Sequence, residues 1–180
     1  YPTLAEVNSL ASMDVDGDGH AEIVVSSAKE KAIGVSSWNG KRLAIPETWP
    51  LPAEPVLLSV APLTKNDGQR AWVVQREKNG KYQLRILSLL GGGKVREDAS
   101  LAIPSKGSSP NRLALFDGNG DGATDLITFI PYQDPIFFLQ EDLKGKDGAG
   151  PVFKNLSQQA DFGQCQLAKL QPDALTVASG

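Results

Sequence analysis

Two short stretches of this sequence place carboxylates unusually close together. The first, "DVDGDGHAE" (14–22, the first loop), carries Asp14, Asp16, Asp18 and Glu22 at relative positions one, three, five and nine. Like charges at this spacing repel one another unless a cation neutralises them. An all-oxygen ligand set in a glycine-containing turn suits calcium, whereas zinc or copper would favour histidine or cysteine. The sequence therefore predicts a calcium-binding loop.

The second stretch, "DGNGDGATD" (117–125, the second loop), repeats these offsets with Asp117, Asn119, Asp121 and Asp125. Each loop is followed by an apolar run, "IVV" or "LIT", that is typical of a strand. Because Asn119 is uncharged, we expect the second loop to bind a cation more weakly than the first. Two copies with the same offsets indicate a repeated functional unit.

The EF-hand is the obvious alternative, since its loop opens in the same way. An EF-hand loop closes with a bidentate glutamate at position twelve and is flanked by helices. Here position twelve is Val25 in the first loop and Thr128 in the second, and the flanking residues are β-branched or small. Both observations exclude an EF-hand.

Two degenerate copies of the pattern are also present. In "LTKNDGQRAWVV" only Asp67 remains, because Leu63, Lys65 and Ala71 occupy the other ligand positions. We expect no ion in this middle loop (63–68), with the Lys65 ammonium in its place. A fainter copy, "LAKLQPDALTVASG", retains Asp173. The copies recur at about 50 residues, a period that indicates propeller blades or another stacked array.

Composition and turn signals favour an all-β fold. The chain of 180 residues has 18 glycines, 12 prolines and an aromatic share of 7%, which favours short strands joined by turns. Asn79-Gly80 and Asn39-Gly40 each stand between apolar runs and predict β-hairpins. These signals place four short strands in each repeat: one before the loop, one after it, a hairpin partner and an outer strand.

The two intact loops, with the strands that follow them, resemble FG-GAP/VCBS repeats, the blades of integrin-α-type β-propellers and of many secreted bacterial propellers. "GKDGAGPVF" (145–153) is similar to the glycine-rich turn of such repeats. The expected architecture is therefore a single propeller segment whose blades have four antiparallel strands. Its approximate repeats are 4–54, 55–108 and 109–163, with 164–180 as the opening hairpin of a further blade.

The resemblance implies two calcium ions, one in each intact loop. Side chains at positions one, three, five and nine would bind the ion, together with the backbone carbonyl at position seven. That carbonyl belongs to His20 in the first loop and to Ala123 in the second. Glu22 is longer than the usual aspartate, which leaves its monodentate or bidentate role open. We expect both ions to be structural.

The number of repeats raises the question of ring closure. Three repeats and a hairpin do not close a ring, because propellers typically carry 4–8 blades. The chain also begins at Tyr1 rather than at a methionine, so we expect it to be a processed or excised piece. The sequence thus predicts an incomplete ring that associates with its remaining blades or with another chain.

Charge, hydropathy and residue usage restrict the function. A net charge of −3 and a pI near 5.2 argue against a nucleic-acid partner, and no apolar run is long enough to predict a membrane span. His20 is the single histidine, and a catalytic Ser-His-Asp or Cys-His arrangement would need another histidine. Cys165, the single cysteine, is interpreted as a buried free thiol.

Aromatic residues in two proline-containing segments are candidates for ligand contact. "WNGKRLAIPETWPLPAEP" contains Trp38 and Trp49, and "IPYQDPIFF" contains Tyr132. Aromatic rings on strands at blade spacing usually pack between blades. The alternative is an exposed platform for a carbohydrate or protein, and these two segments are the best candidates for such surface loops.

The predicted function is a non-catalytic, calcium-stabilised module for binding or assembly, with a protein or carbohydrate ligand. It would be extracellular, periplasmic or at the cell surface, where millimolar calcium fills sites with dissociation constants of about 10⁻⁴–10⁻³ M. The alternative is part of a secreted polysaccharide-active enzyme that is built on, or fused to, a propeller.

Overall fold

The computed structural model of the chain describes residues 3–141 and 151–156. Over these residues the protein is all-β, with twelve strands in three four-stranded sheets. The predicted all-β class and the four-stranded, antiparallel organisation are therefore confirmed. The predicted hairpin 164–180, Cys165, Asp173 and the segment 145–150 of the glycine-rich turn lie outside the described residues.

Each sheet is formed by one continuous stretch of chain. The first sheet contains β1 (Val7–Met13), β2 (Glu22–Ser27), β3 (Ala32–Ser36) and β4 (Glu47–Pro50). The second contains β5 (Glu54–Pro62), β6 (Gln69–Arg76), β7 (Tyr82–Leu90) and β8 (Lys94–Ile103). The third contains β9 (Arg112–Phe116), β10 (Asp125–Phe129), β11 (Ile136–Glu141) and β12 (Val152–Asn155). In all three, strands adjacent in sequence are also adjacent in the sheet and pair antiparallel.

The carboxylate-rich loops join the first and second strands of the first and third sheets. In the first sheet Met13 pairs with Glu22, and in the third Phe116 pairs with Asp125. The residue before position one is thus opposite position nine in both hairpins. The middle loop occupies the same place in the second sheet, between β5 and β6. The Asn79-Gly80 hairpin is confirmed between β6 and β7, where the Glu77 N–H donates to the Lys81 carbonyl at 2.8 Å.

The second sheet packs on both of its neighbours. One core joins it to the first sheet, and another, which includes Trp72, joins it to the third. Alternate side chains of β6 therefore enter different cores, and all four residues of "AWVV" (71–74) are fully buried. The Trp72 ring meets Phe153 of β12 edge to face, with centroids 5.9 Å apart.

The proline-containing segment after Trp38 corrects one prediction. We expected a surface connection, but residues Glu47–Pro50 form strand β4 and pair with β3. Trp49 is only 2% exposed, and its indole Nε1–H donates to the Leu90 carbonyl at 2.9 Å. The ring is buried because the second sheet supplies both apolar surface and an acceptor for its one polar group.

That acceptor lies at the start of a glycine-rich turn, Gly91–Gly93, between β7 and β8. The Gly93 N–H donates to Glu47 Oε1 at 2.9 Å, and a Cβ on Gly93 would lie 2.9 Å from the Thr48 carbonyl oxygen. The stretch "LLGGGK" (89–94) thus forms a turn between two strands. The turn also holds β7 and β8 against the outer strand of the first sheet.

A charged cluster lies on the outer part of the second sheet. Asp98 accepts hydrogen bonds from Arg70 Nε (2.8 Å), Arg96 Nε (2.7 Å) and Ser88 Oγ (2.6 Å). Burial raises the pKa of Asp98, but hydrogen bonds from Ser88, Arg96 and Arg70 outweigh it and leave the pKa below its usual value. This carboxylate is therefore charged and ties β6, β7 and β8 together.

Candidate metal centres

The carboxylate of Asp14 organises the first loop. It accepts the Gly17 N–H at 2.7 Å and the Gly19 N–H at 3.0 Å, one on each oxygen. Both glycines have positive φ, +79° and +87°, which turns their amides toward position one. Glycine is the residue that adopts this conformation without steric cost, so the sequence pattern and the backbone agree.

The remaining acidic residues of the first loop are also fixed by backbone donors. Asp16 Oδ1 accepts the Asp18 N–H at 3.2 Å, and Asp18 Oδ1 accepts the His20 N–H at 2.7 Å. Glu22, at position nine, is 7% exposed, and its Oε2 accepts the Val15 N–H at 2.8 Å. All four carboxylates are thus held by the loop's own amides.

The second loop forms the same five hydrogen bonds at the same relative positions. They run from Gly120 and Gly122 N–H to Asp117 (2.7 and 2.9 Å), from Asp121 N–H to Asn119 Oδ1 (3.1 Å), from Ala123 N–H to Asp121 Oδ1 (2.8 Å), and from Gly118 N–H to Asp125 Oδ2 (2.8 Å). Its glycines at positions four and six have φ of +79° and +85°. The two loops therefore share one backbone and one arrangement of oxygens.

These oxygens are chemically suited to a hard cation. One carboxylate oxygen from each of Asp14, Asp16 and Asp18 lies within 4.8 Å of the others. Asp16 and Asp18 are exposed, so a hydrated ion can reach them. The His20 side chain is 86% exposed, with Nδ1 3.3 Å from Asp18 Oδ1. The His20 backbone N–H contributes most to holding the Asp18 pKa below its usual value.

In the second loop the buried member is Asp125, which is 3% exposed. Burial raises the pKa of Asp125, hydrogen bonds from the Gln140 and Gly118 amides lower it, and the charges of Asp121 and Asp117 raise it again. The net effect is a pKa above the usual value, because the carboxylate is desolvated beside like charges. A bound cation would favour its charged form.

The middle loop uses its single aspartate differently. Asp67 Oδ2 accepts both the backbone N–H and the hydroxyl of Thr64, at 3.0 and 2.8 Å. The Asp67 N–H donates back to the Thr64 carbonyl at 3.0 Å, which closes the turn. Lys65 is exposed, and its backbone amide contacts the second loop at Gly122. The absence of an ion here stays a prediction.

The three aromatic candidates for ligand contact have different environments. Trp38 is 59% exposed, and Tyr132 is fully exposed with a positive φ of 64°. Trp49 is buried as described above and has no surface to offer a ligand. The Trp38 ring lies in the connection between β3 and β4, and the Tyr132 ring lies in the connection between β10 and β11. The two exposed rings are not brought into contact with each other.

A cleft of about 340 Å³ opens beside the first loop and was not evident from the sequence. Its lining combines residues of the first loop, the β3–β4 segment and the glycine-rich turn: Val15, Asp16, Glu22, Val35, Ser37, Ile45, Glu47, Trp49 and Gly91. Its position means that two carboxylates of the first loop border an accessible space. No local sequence signal predicts such a cleft, because its walls come from distant segments.

No model of a known protein family matches the chain, and no curated protein matches it significantly. Within residues 3–141 and 151–156, the structure contains no helix that could span a membrane. The functional interpretation therefore depends on the loop geometry.

Proposed function

We propose that the chain is a calcium-stabilised β-propeller segment that binds one calcium ion in each intact loop. The observation that carries the proposal is the shared set of five hydrogen bonds, which fixes oxygen donors at the same positions in both loops. A pattern of acidic residues alone can arise on any polar surface. The repetition of its backbone geometry supports a common ligand.

The donor set favours calcium over other cations. Every candidate side chain supplies oxygen, and calcium takes six to eight oxygen ligands in flexible geometry. In the first loop these are Asp14, Asp16, Asp18 and Glu22, with the His20 carbonyl. In the second loop the ligands at the equivalent positions are Asp117, Asn119, Asp121 and Asp125, with the Ala123 carbonyl. Bound calcium supplies positive charge that offsets the repulsion between carboxylates.

The role proposed for the ions is structural. Each loop joins the first two strands of its sheet, and its position-nine carboxylate is buried. Without a cation, three or four carboxylate groups face one another at the end of a β-hairpin. Calcium therefore stabilises the hairpins from which the sheets are built, as in the FG-GAP/VCBS repeats that the loops resemble.

The proposed assembly is a propeller in which these three sheets are consecutive blades. The sheets pack face to face in chain order, with the second between the other two. Because propellers typically have 4–8 blades, the remaining blades would come from another chain or from more of the same polypeptide. Light scattering tests this: dimers or larger species support it, and a monodisperse monomer of 19.2 kDa that melts cooperatively contradicts it.

We place the module outside the cytoplasm, at the cell surface, in the periplasm or in the extracellular space, where millimolar calcium would fill such loops. Its role there would be binding or assembly rather than catalysis, with a protein or carbohydrate ligand. The exposed rings of Trp38 and Tyr132 are the surface aromatics available to such a ligand.

Calorimetric titration and thermal melting test the calcium proposal directly. We expect two calcium ions per chain and a melting temperature that falls on chelation. Saturation at one hundred times the dissociation constant stabilises by about 2.7 kcal/mol per site. Asp16→Asn and Asp18→Asn should each reduce the response to chelator, while Asp134→Asn, at an exposed carboxylate outside the loops, should leave it unchanged.

Three results would contradict the proposal. They are a melting curve indifferent to both chelator and millimolar calcium, preferential binding of zinc at either loop, and an ion bound at Asp67.

A further inference from the structure

The second loop is hydrogen-bonded to the second sheet as well as to its own. The Lys65 N–H donates to the Gly122 carbonyl at 2.9 Å, and the Thr124 N–H donates to the Leu63 carbonyl at 2.9 Å. Together the two bonds form a short antiparallel bridge between the middle loop and the second loop. We call this contact the inter-sheet junction.

Two side chains of the third sheet strengthen the junction. The Thr124 hydroxyl donates to the Pro62 carbonyl at 2.7 Å, and Gln140 Nε2–H donates to the Leu63 carbonyl at 3.3 Å. Thr124 is 9% exposed and Gln140 is fully buried. The Pro62 and Leu63 carbonyls, where β5 leads into the middle loop, thus accept three hydrogen bonds from Thr124 of the second loop and Gln140 of β11.

The junction fixes the peptide that carries a proposed calcium ligand. Ala123, whose carbonyl occupies position seven, stands between the two residues that form the backbone bridge, Gly122 and Thr124. Gln140 also donates its backbone N–H to Asp125, the ligand at position nine, at 2.9 Å. The second sheet therefore holds position seven of the second loop through the backbone bridge, and position nine through Gln140.

The middle loop is shaped for this contact. By accepting two hydrogen bonds from Thr64, the Asp67 carboxylate holds the turn that presents the Leu63 carbonyl and the Lys65 amide to the third sheet. Asp67, to which we assign no ion, therefore has the structural role of holding this turn.

The first loop has no equivalent junction among the described residues. Its position eight is Ala21, which is exposed and has no hydroxyl. Its contact with the second sheet is a side-chain acceptor, Gln69 Oε1, which receives the Asp14 N–H at 2.9 Å. The two loops thus share their internal geometry and differ in their attachment.

We infer that Thr124 is a positioning residue for the second calcium site, and that calcium binding there is coupled to docking of the third sheet on the second. This inference rests on the proposed calcium function and assigns a different attachment to each site. Coupling between two equilibria is reciprocal, so calcium should tighten the junction, and loss of the junction should weaken calcium binding. The first site should be independent of both effects.

Nuclear magnetic resonance can follow the sites separately during calcium titration, through the amides of Gly19 and Gly122. Thr124→Val removes the hydroxyl but keeps the shape, and Thr124→Ser restores it. We expect Thr124→Val to weaken the second site by about three- to tenfold, the effect of losing one hydrogen bond, with no change at the first site. Thr124→Ser should return the second site to near the wild-type affinity, and Ala21→Val should leave the second site unchanged.

Hydrogen exchange of the wild-type protein provides an independent test that needs no substitution. The Lys65 amide lies in the middle loop, which joins two strands of the second sheet, and has no proposed calcium ligand beside it in sequence. Its hydrogen bond nevertheless ends in the second loop. Calcium should therefore slow its exchange, by a larger factor than it slows the exchange of the Lys81 amide in the β6–β7 turn.

The outcomes distinguish this inference from the proposed function. If the wild-type protein binds no calcium, the proposed function fails and this inference fails with it. If it binds two ions, but Thr124→Val keeps full affinity at the second site and Lys65 exchange ignores calcium, only the coupling is refuted. If Thr124→Val weakens both sites equally, the residue has a general structural role and the positioning role is refuted.

Discussion

The glycine-rich turn between β7 and β8 offers a sharp test of the packing between the first two sheets. Its three glycines differ in their constraints. Gly93 has a φ of +70°, and an added Cβ would lie 2.9 Å from the Thr48 carbonyl oxygen. Gly92 has a φ of +73°, but open space surrounds it, and Gly91 has neither constraint. Alanine at each position therefore separates conformational cost from contact cost.

The expected losses in the free energy of unfolding follow from these constraints. An alanine held at positive φ costs about 1–2 kcal/mol, which is the whole effect expected for Gly92→Ala. Gly93→Ala must also withdraw the turn from the Thr48 carbonyl, which breaks the Gly93 hydrogen bond to Glu47 and adds about 1 kcal/mol or more. We expect roughly 3 kcal/mol for Gly93→Ala and less than about 0.5 kcal/mol for Gly91→Ala.

Urea denaturation of the three variants, in saturating calcium and with tryptophan fluorescence as the signal, measures these differences. Trp49 reports on the affected contact, because its indole N–H donates to Leu90 at the start of the turn. Equal losses for Gly92→Ala and Gly93→Ala would refute the reasoning, since the Thr48 contact would then have no energetic effect. A loss at Gly91→Ala as large as that at Gly93→Ala would refute it as well.

Three further predictions concern single residues. Asp98→Asn should destabilise the protein at neutral pH and flatten the acid end of its stability profile. Because the pKa of Asp98 is lowered in the folded protein, this carboxylate contributes stability that is present above about pH 4 and lost as pH falls through the folded-state pKa. Urea titrations over a range of about pH 2 to pH 7 measure this loss of stability. An acid limb that Asp98→Asn leaves unchanged would contradict the prediction. Gly118→Val should weaken calcium binding at the second loop, because an added Cβ would lie 2.7 Å from the Phe116 ring and 3.1 Å from Asp125 Oδ2; titration calorimetry with unaltered affinity would count against this. Tyr132→Gly should raise the free energy of unfolding by about 0.5–1 kcal/mol, since glycine adopts the observed positive φ without strain, and a clear loss in thermal melting would show that the exposed ring has a packing role.

Local sequence patterns were sufficient for the parts of the structure that are built locally. Asn79-Gly80 predicts its hairpin because a two-residue turn of this type suits the twist of the flanking strands. The alternating glycines of the loops predict tight turns followed by strands for a similar reason, since each carboxylate bonds amides only a few residues away. The calcium content of these loops remains a prediction.

Contacts between sheets were beyond the reach of these patterns. Trp38 and Trp49 lie in the same proline-containing segment, yet one is exposed and the other buried. What separates them is the glycine-rich turn, which covers Trp49 and belongs to a different sheet. The inter-sheet junction is similar. Asp67 resembles the remnant of a lost ion site, and only the structure shows that it bonds Thr64 in a turn whose Lys65 amide donates to Gly122.

The continuous course of each sheet has a consequence for how the protein is made. A ribosome adds about 5–20 residues per second, whereas a β-hairpin forms in about 1–10 μs. Each sheet can therefore complete its own hydrogen bonds seconds before the next one emerges. The face of the second sheet that carries Trp72 and Leu84 must wait for the third sheet to cover it. During that interval the nascent chain exposes this apolar face, to which a chaperone can bind.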